Sequence, residues 1–224
     1  MKTEGGWTGA ARIGSLFVMS ILLALTSNCG KSKKGTEPEV SAEELAGEGW
    51  GLFESDDFGD AKAKFGQAIA KDTAYADAYN GRGWCNAFID LEDEAISDFD
   101  AANIKGLSRP DAYAGLAAIY VGDQEFQGAI ANAKSALSMD PTYQFSHRTS
   151  IDYLDLHLKL AQAYYGLGGE YLDSSQQEVD YLNPGNNLNP ANPLTWVVGG
   201  ITYHTYAEAL LKEIQRLEES IGTP

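Results

Sequence analysis

The chain has 224 residues, enough for one ordinary domain or one short repeat array and too few for two independent large cores. Its 32 acidic residues against 16 basic ones give a formal net charge of -16, and a surface this negative repels phosphate backbones and anionic headgroups, which argues against nucleic acid as a partner. The acids are interspersed with Ala, Leu, Tyr and Phe, the pattern of a solvated helical surface; a basic partner is the sharper reading.

The chain opens on an apolar run, Ile13 to Leu25 (IGSLFVMSILLAL), preceded by Lys2 and Arg12. It is short for a permanent membrane span and suits the apolar stretch of a secretory signal. Leu25-Thr26-Ser27-Asn28-Cys29 then places small or polar residues directly before a cysteine and resembles the lipobox of bacterial lipoproteins. That resemblance implies a signal peptide over residues 1–28, lipid attachment at Cys29, and a place in the bacterial cell envelope. With Gly30 after the cysteine, it also implies the outer membrane, facing the periplasm. An uncleaved anchor helix, or a signal cleaved without lipidation, are the other readings. Residues 29–40, with Gly, Lys and Pro and no apolar periodicity, read as a flexible tether. The second cysteine, Cys85, has no partner if Cys29 carries lipid, and its Ala- and aromatic-rich surroundings make it a small packing residue.

From residue 41 the chain repeats. Ala61, Ala95 and Ala129 stand 34 residues apart, and the same spacing links Gly47, Gly81 and Gly115, Gly49 and Gly83, Trp50 and Trp84, Phe65 and Phe99, and Ala68, Ala102 and Ala136. Each unit holds two apolar-periodic helical stretches joined by an acidic or Gly-containing turn: Ser55-Asp56-Asp57, Ile89-Asp90-Leu91 and Gly122-Asp123-Gln124. Ser41-Ala-Glu-Glu44 predicts a capping box at the first helix.

Over about residues 42 to 143 this pattern resembles the tetratricopeptide repeat (TPR). With units starting at Ala42, Ala76 and Pro110, its small residue at position 8 is Gly49, Gly83 and Ala117. Its position-24 aromatic is Phe65 and Phe99, with Ala133 as a departure, and its position-32 proline survives as Pro141. The expected fold is therefore all-α: a tetratricopeptide-repeat superhelical solenoid. Three units cover 41–143; an insertion (Gln144 to Ser150) and a degenerate fourth unit, with Leu160, Ala161 and Tyr164 in register, cover 144–182. Residues 183–224 hold a Pro/Asn-rich loop, a hairpin around Gly199-Gly200, and a helix opened by Thr205–Glu208. Its Leu210, Leu211, Ile214, Leu217 and Ile221 form one apolar face that caps the array.

No residue qualifies as catalytic: the chain has no Gly-x-Ser-x-Gly elbow and no phosphate-cradling glycine loop. His147, His157 and His204 lie far from one another and from cysteine, so no metal or other cofactor is expected, and these read as solvated or hydrogen-bonded surface histidines. What the TPR resemblance implies is a concave groove lined by first-helix side chains. Carried over, these include Glu43, Trp50, Phe53 and Glu54 from the first unit, Asp77, Asn80, Trp84 and Phe88 from the second, and Asp111 from the third. Aromatics with an acidic rim suit a protein or peptide partner that offers apolar anchors and some Lys or Arg. The expected function is a non-catalytic protein-protein interaction scaffold attached to the membrane through a lipid anchor. Two alternatives stand beside it: the groove aromatics stack a sugar or other small molecule, or Trp50 and Trp84, being repeat-periodic themselves, pack helices together.

Overall fold

The computed structural model describes residues 39–221. The expected signal segment, Cys29 and most of the expected tether lie outside the described residues.

The helix starts follow the local chemistry. Ser41 accepts from the Glu44 backbone N–H at 3.1 Å and donates its own backbone N–H to Glu44 Oε2 at 2.8 Å, the reciprocal capping box that opens α1 (Ala42–Glu54). The repeats then deliver α2 (Phe58–Lys71), α3 (Ala76–Phe88), α4 (Glu92–Ile104), α5 (Asp111–Gly122) and α6 (Phe126–Met139). Each unit's two helices pack on each other, α2 meets α3, α4 meets α5, and α1, α3 and α5 lie side by side.

The turn inside each unit has the same geometry. Asp56, Asp90 and Gln124 take φ of 61°, 57° and 62°. The next residue's N–H returns to a carbonyl five residues back, as in Asp57 to Leu52 at 3.0 Å and Glu125 to Tyr120 at 2.8 Å. A left-handed backbone crowds any Cβ, and Gln lacks the short side chain that lets Asp tolerate it. Gln124→Gly is therefore expected to stabilise the fold by about 0.5–1 kcal/mol, read as a raised urea midpoint with an unchanged slope.

The seams between units explain the repeated glycines. Phe65 is fully buried, and a Cβ added to Gly49 or Gly81 would come within 2.9 Å or 2.3 Å of its ring. Phe99 sits in the same way between Gly83 (2.8 Å) and Gly115 (2.4 Å). At the third seam Ala133 stands in place of the ring, and Phe126, about two helical turns earlier at the start of α6, packs against Gly166. Cys85 is buried in this core, and that burial pushes its thiol up to about 12, far from a reactive thiolate.

The fourth unit is a full helix pair, α7 (Tyr153–Leu167) and α8 (Leu172–Leu182), joined through Gly168 and a 3-10 turn. The fourth residue of α8 is Ser175, where α2, α4 and α6 have Ala61, Ala95 and Ala129. Its buried hydroxyl donates to the Ala161 carbonyl at 2.8 Å, so a small residue is kept and its polar atom is satisfied inside the pair.

Beyond the Asn/Pro loop, β1 (Val197–Val198) and β2 (Ile201–Thr202) pair antiparallel across Gly199-Gly200, whose φ of 59° and 80° are those of a two-residue hairpin turn. The last helix, α9 (Tyr206–Ile221), buries Leu210, Ile214 and Leu217 against Leu158, Ala161 and Val179 of the fourth unit. Leu211, expected on this face, is exposed instead. The interface takes one line along the helix, and a residue one step off that line turns away by roughly 100°.

Glu213 pins the cap. Its carboxylate accepts from Asn183 Nδ2 at 2.8 Å and from Arg216 Nε and Nη2 at 2.9 and 2.6 Å. Burial opposes its ionisation, but the bonds from Arg216 and Asn183 outweigh that and hold the carboxyl below its ordinary 4.5. A carboxyl lowered on folding adds stability above its unfolded pKa, and this is lost as pH falls below 4.5 and through the folded value. Glu213→Gln is expected to cost about 1–2 kcal/mol at neutral pH and to flatten the acid limb of the stability curve in that window, measured by urea titration at stepped pH.

Candidate peptide groove and the loop that fills it

Because α1, α3 and α5 lie side by side, side chains one repeat apart meet across them. Trp50 and Trp84 are both buried, at 6% and 4% exposure, and Phe53 is fully buried. What covers them is the insertion. Phe145, also fully buried, stacks on Trp84 at 4.5 Å between ring centroids and meets Trp50 and Phe53 edge-on at 5.9 and 6.0 Å. His147 lies flat on Trp50, with centroids 3.8 Å apart and planes 1° from parallel, and its Nδ1 is 2.8 Å from Glu54 Oε1. Arg148 places its guanidinium 4.6 Å over the Phe88 ring and pairs with Asp56. His147 is hydrogen-bonded, as expected of it, and the flat indole face of Trp50 adds a stacking partner that leaves its ring half-buried.

The polar groove positions are joined to one another. Trp50 Nε1 donates to Asp77 Oδ2 at 3.0 Å, and Asn80 Nδ2 to Asp111 Oδ2 at 3.3 Å. Arg109 ties the two acids together: its Nη2 pairs with Asp77 and its Nε donates to Asp111 Oδ2 at 2.8 Å. The Asp111 side chain is only 4% exposed, so this pairing is what makes its burial tolerable. Burial raises the Tyr143 hydroxyl far above its ordinary value, and the nearby Asp111 charge adds to this. Arg109, Asn80 and Trp50 thus engage both carboxylates and tie α1, α3 and the start of α5 together.

Of the groove residues expected from the sequence, the structure gathers Trp50, Phe53, Trp84 and Phe88 around Phe145 and Arg148, and joins Asp77, Asn80 and Asp111 through Arg109. Glu54 stands at the exposed rim holding His147, and Glu43 is exposed on the first turn of α1. With the loop in place, Trp50 and Trp84 present no open face on which a sugar could stack. Four residues were not foreseen: Arg109, Phe145, His147 and Arg148. Their signals were faint. Arg109 stands where the preceding units have Ser41 and Tyr75, and the insertion is the one place between residues 41 and 167 where the 34-residue register slips.

Among the described residues no helix is long and apolar enough to cross a membrane, and no group of three or more His, Cys, Asp or Glu is placed to hold a metal ion. No protein-family model matches the chain, and no curated protein matches it. Solved structures do. YrrB, described as a TPR protein with an unusual peptide-binding site, is 16% identical with a TM-score of 0.58, over 80% of this chain and 87% of its own. A crystal structure of MamA is 19% identical with a TM-score of 0.52, over 81% and 75%; a second gives 19%, 0.52, 80% and 81%. At these identities the likeness is one of fold, and the fold it shows is the one the 34-residue spacing announces: residues 39–221 form a TPR-type stack of helix pairs, extended by a short hairpin and a final helix.

Proposed function

We propose that this chain is a non-catalytic protein-protein interaction scaffold, held at a bacterial outer membrane by lipid on Cys29 and facing the periplasm, within an assembly or transport complex. The observation that carries the binding part of the reading is the occupied groove. A short stretch of polypeptide, Phe145 to Arg148, already sits on the first two units, with an aromatic anchor among Trp50, Trp84 and Phe53 and basic groups on Glu54 and Asp56. The surface therefore suits peptide better than sugar. The description of YrrB as having a peptide-binding site accords with such use of the fold. The anchoring part rests on the sequence before Cys29 alone.

The test is crosslinking in envelope membranes followed by recovery of the full-length chain, beside a Cys29→Ala variant. A defined protein recovered with the wild type, and incorporation of a fatty-acid label into the wild type but not into the variant, is the expected result. Recovery of no defined protein would sink the scaffold reading, and a wild type that takes up no fatty-acid label would sink the lipid anchor.

A further inference from the structure

The loop over residues 144–150 keeps its backbone bonds to itself. The Phe145 N–H donates to the Ile151 carbonyl at 2.9 Å, Arg148 to Phe145 at 3.1 Å and Ile151 to Arg148 at 2.9 Å, while Gln144 Nε2 reaches the Thr149 carbonyl at 3.2 Å. Its ties to the first two units are the side chains of Phe145, His147 and Arg148. Leaving the groove would break no backbone bond; it would uncover two tryptophans and release the acids Glu54 and Asp56. Both acids are exposed, on a chain carrying a net charge of -16, so positive charge is what this rim favours.

We infer that residues 144–150 are a built-in occupant of the groove, and that the partner is a protein segment of the same chemistry, an aromatic residue followed within three positions by basic ones, which displaces the loop. This deepens the scaffold reading and rests on it. The docked loop sets the threshold for binding. An external segment sees the groove only in the fraction of molecules with the loop out, so a loop docked about 99% of the time weakens it roughly 100-fold. A partner must therefore hold more than the loop does, through a longer segment or a better anchor.

The probe is a fluorophore-labelled peptide with the sequence of residues 144–150, titrated by anisotropy into the full chain. In Phe145→Ala/Arg148→Ala, whose loop has lost its anchor and its rim charge, binding is expected at least about tenfold tighter than in the wild type. The same peptide with Ala for Phe should not bind. If the double variant loses helicity, Arg148→Ala with His147→Ala leaves the buried anchor in place and should still tighten binding. A folded variant that binds the peptide no better than the wild type overturns the inference. If that happens while a protein partner is still crosslinked in membranes, the scaffold reading stands and its surface lies elsewhere. Peptide binding without any crosslinked partner separates the two in the opposite sense.

Discussion

Phe65→Ala is expected to cost about 3–5 kcal/mol, the range for emptying a buried phenylalanine site. The ring lies between the Gly49 and Gly81 backbones, and neither has a side chain that could move in to fill the space. The reverse error is nearly as harmful. Gly81→Ala would put a methyl 2.3 Å from the same ring, closer than real contacts allow, and overpacking of this kind costs typically about 1–3 kcal/mol. The pair also contains its own control. Phe65→Leu, a smaller side chain at the same site, should make Gly81→Ala better tolerated than it is alone, because the two side chains compete for one volume. Urea unfolding followed by circular dichroism measures all four proteins; equal costs for Gly81→Ala with Phe or Leu at 65 would show that the seam is not shared.

Arg109→Met should destabilise by about 2–3 kcal/mol, although Arg109 is partly open to solvent. The penalty comes from its partners. Asp111, at 4% side-chain exposure, would keep Asn80 and lose its ion pair, and Asp77 would keep the Trp50 indole N–H and lose its own. Arg109 itself is opposed by burial, but the charges of Asp77 and Asp111 prevail and hold its guanidinium above its ordinary pKa. Solvent reaching the guanidinium keeps the expected cost below that of a fully buried pair. Arg109→Lys should recover part of the loss, since a single ammonium cannot present the fork that meets two acids. An unfolding midpoint unchanged in Arg109→Met would mean that water replaces the bridge.

The repeat seams were legible in the sequence because packing constrains them twice. Phe65 needs a small residue in its own unit and another in the next, so Gly49 and Gly81 appear as periodic marks. The capping boxes at Ser41 and Thr205 and the Gly199-Gly200 turn were legible for the same reason: backbone geometry demands those residue types locally. The closure of the groove was not. Periodicity names the residues that face along α1 and α3 but says nothing about what lies over them, and Phe145, His147 and Arg148 belong to a stretch with no repeat to compare. Trp50 and Trp84 show the ambiguity most clearly. Repeat position places both at the groove, and the insertion then makes them interior residues. Ser175 is hidden differently: the physical requirement at this position is for a small side chain, and the alanine that marks it in the first three units is only one way to meet it.

The same insertion changes how the array holds together. In an ideal repeat protein each unit touches only its neighbours, so the ends fray first and order spreads from unit to unit. Here His147 and Arg148 fasten the link after the third unit to Glu54 and Asp56 in the first, across 93 and 92 residues of chain. A row that could unzip is thereby stapled into a loop. The N-terminal unit peels away fully only with the staple lifted, so amide exchange in α1 should be slower in the wild type than in Phe145→Ala/Arg148→Ala. The molecule gains a cooperativity that repeats alone would not give it, at the cost of a long chain closure that must form during folding.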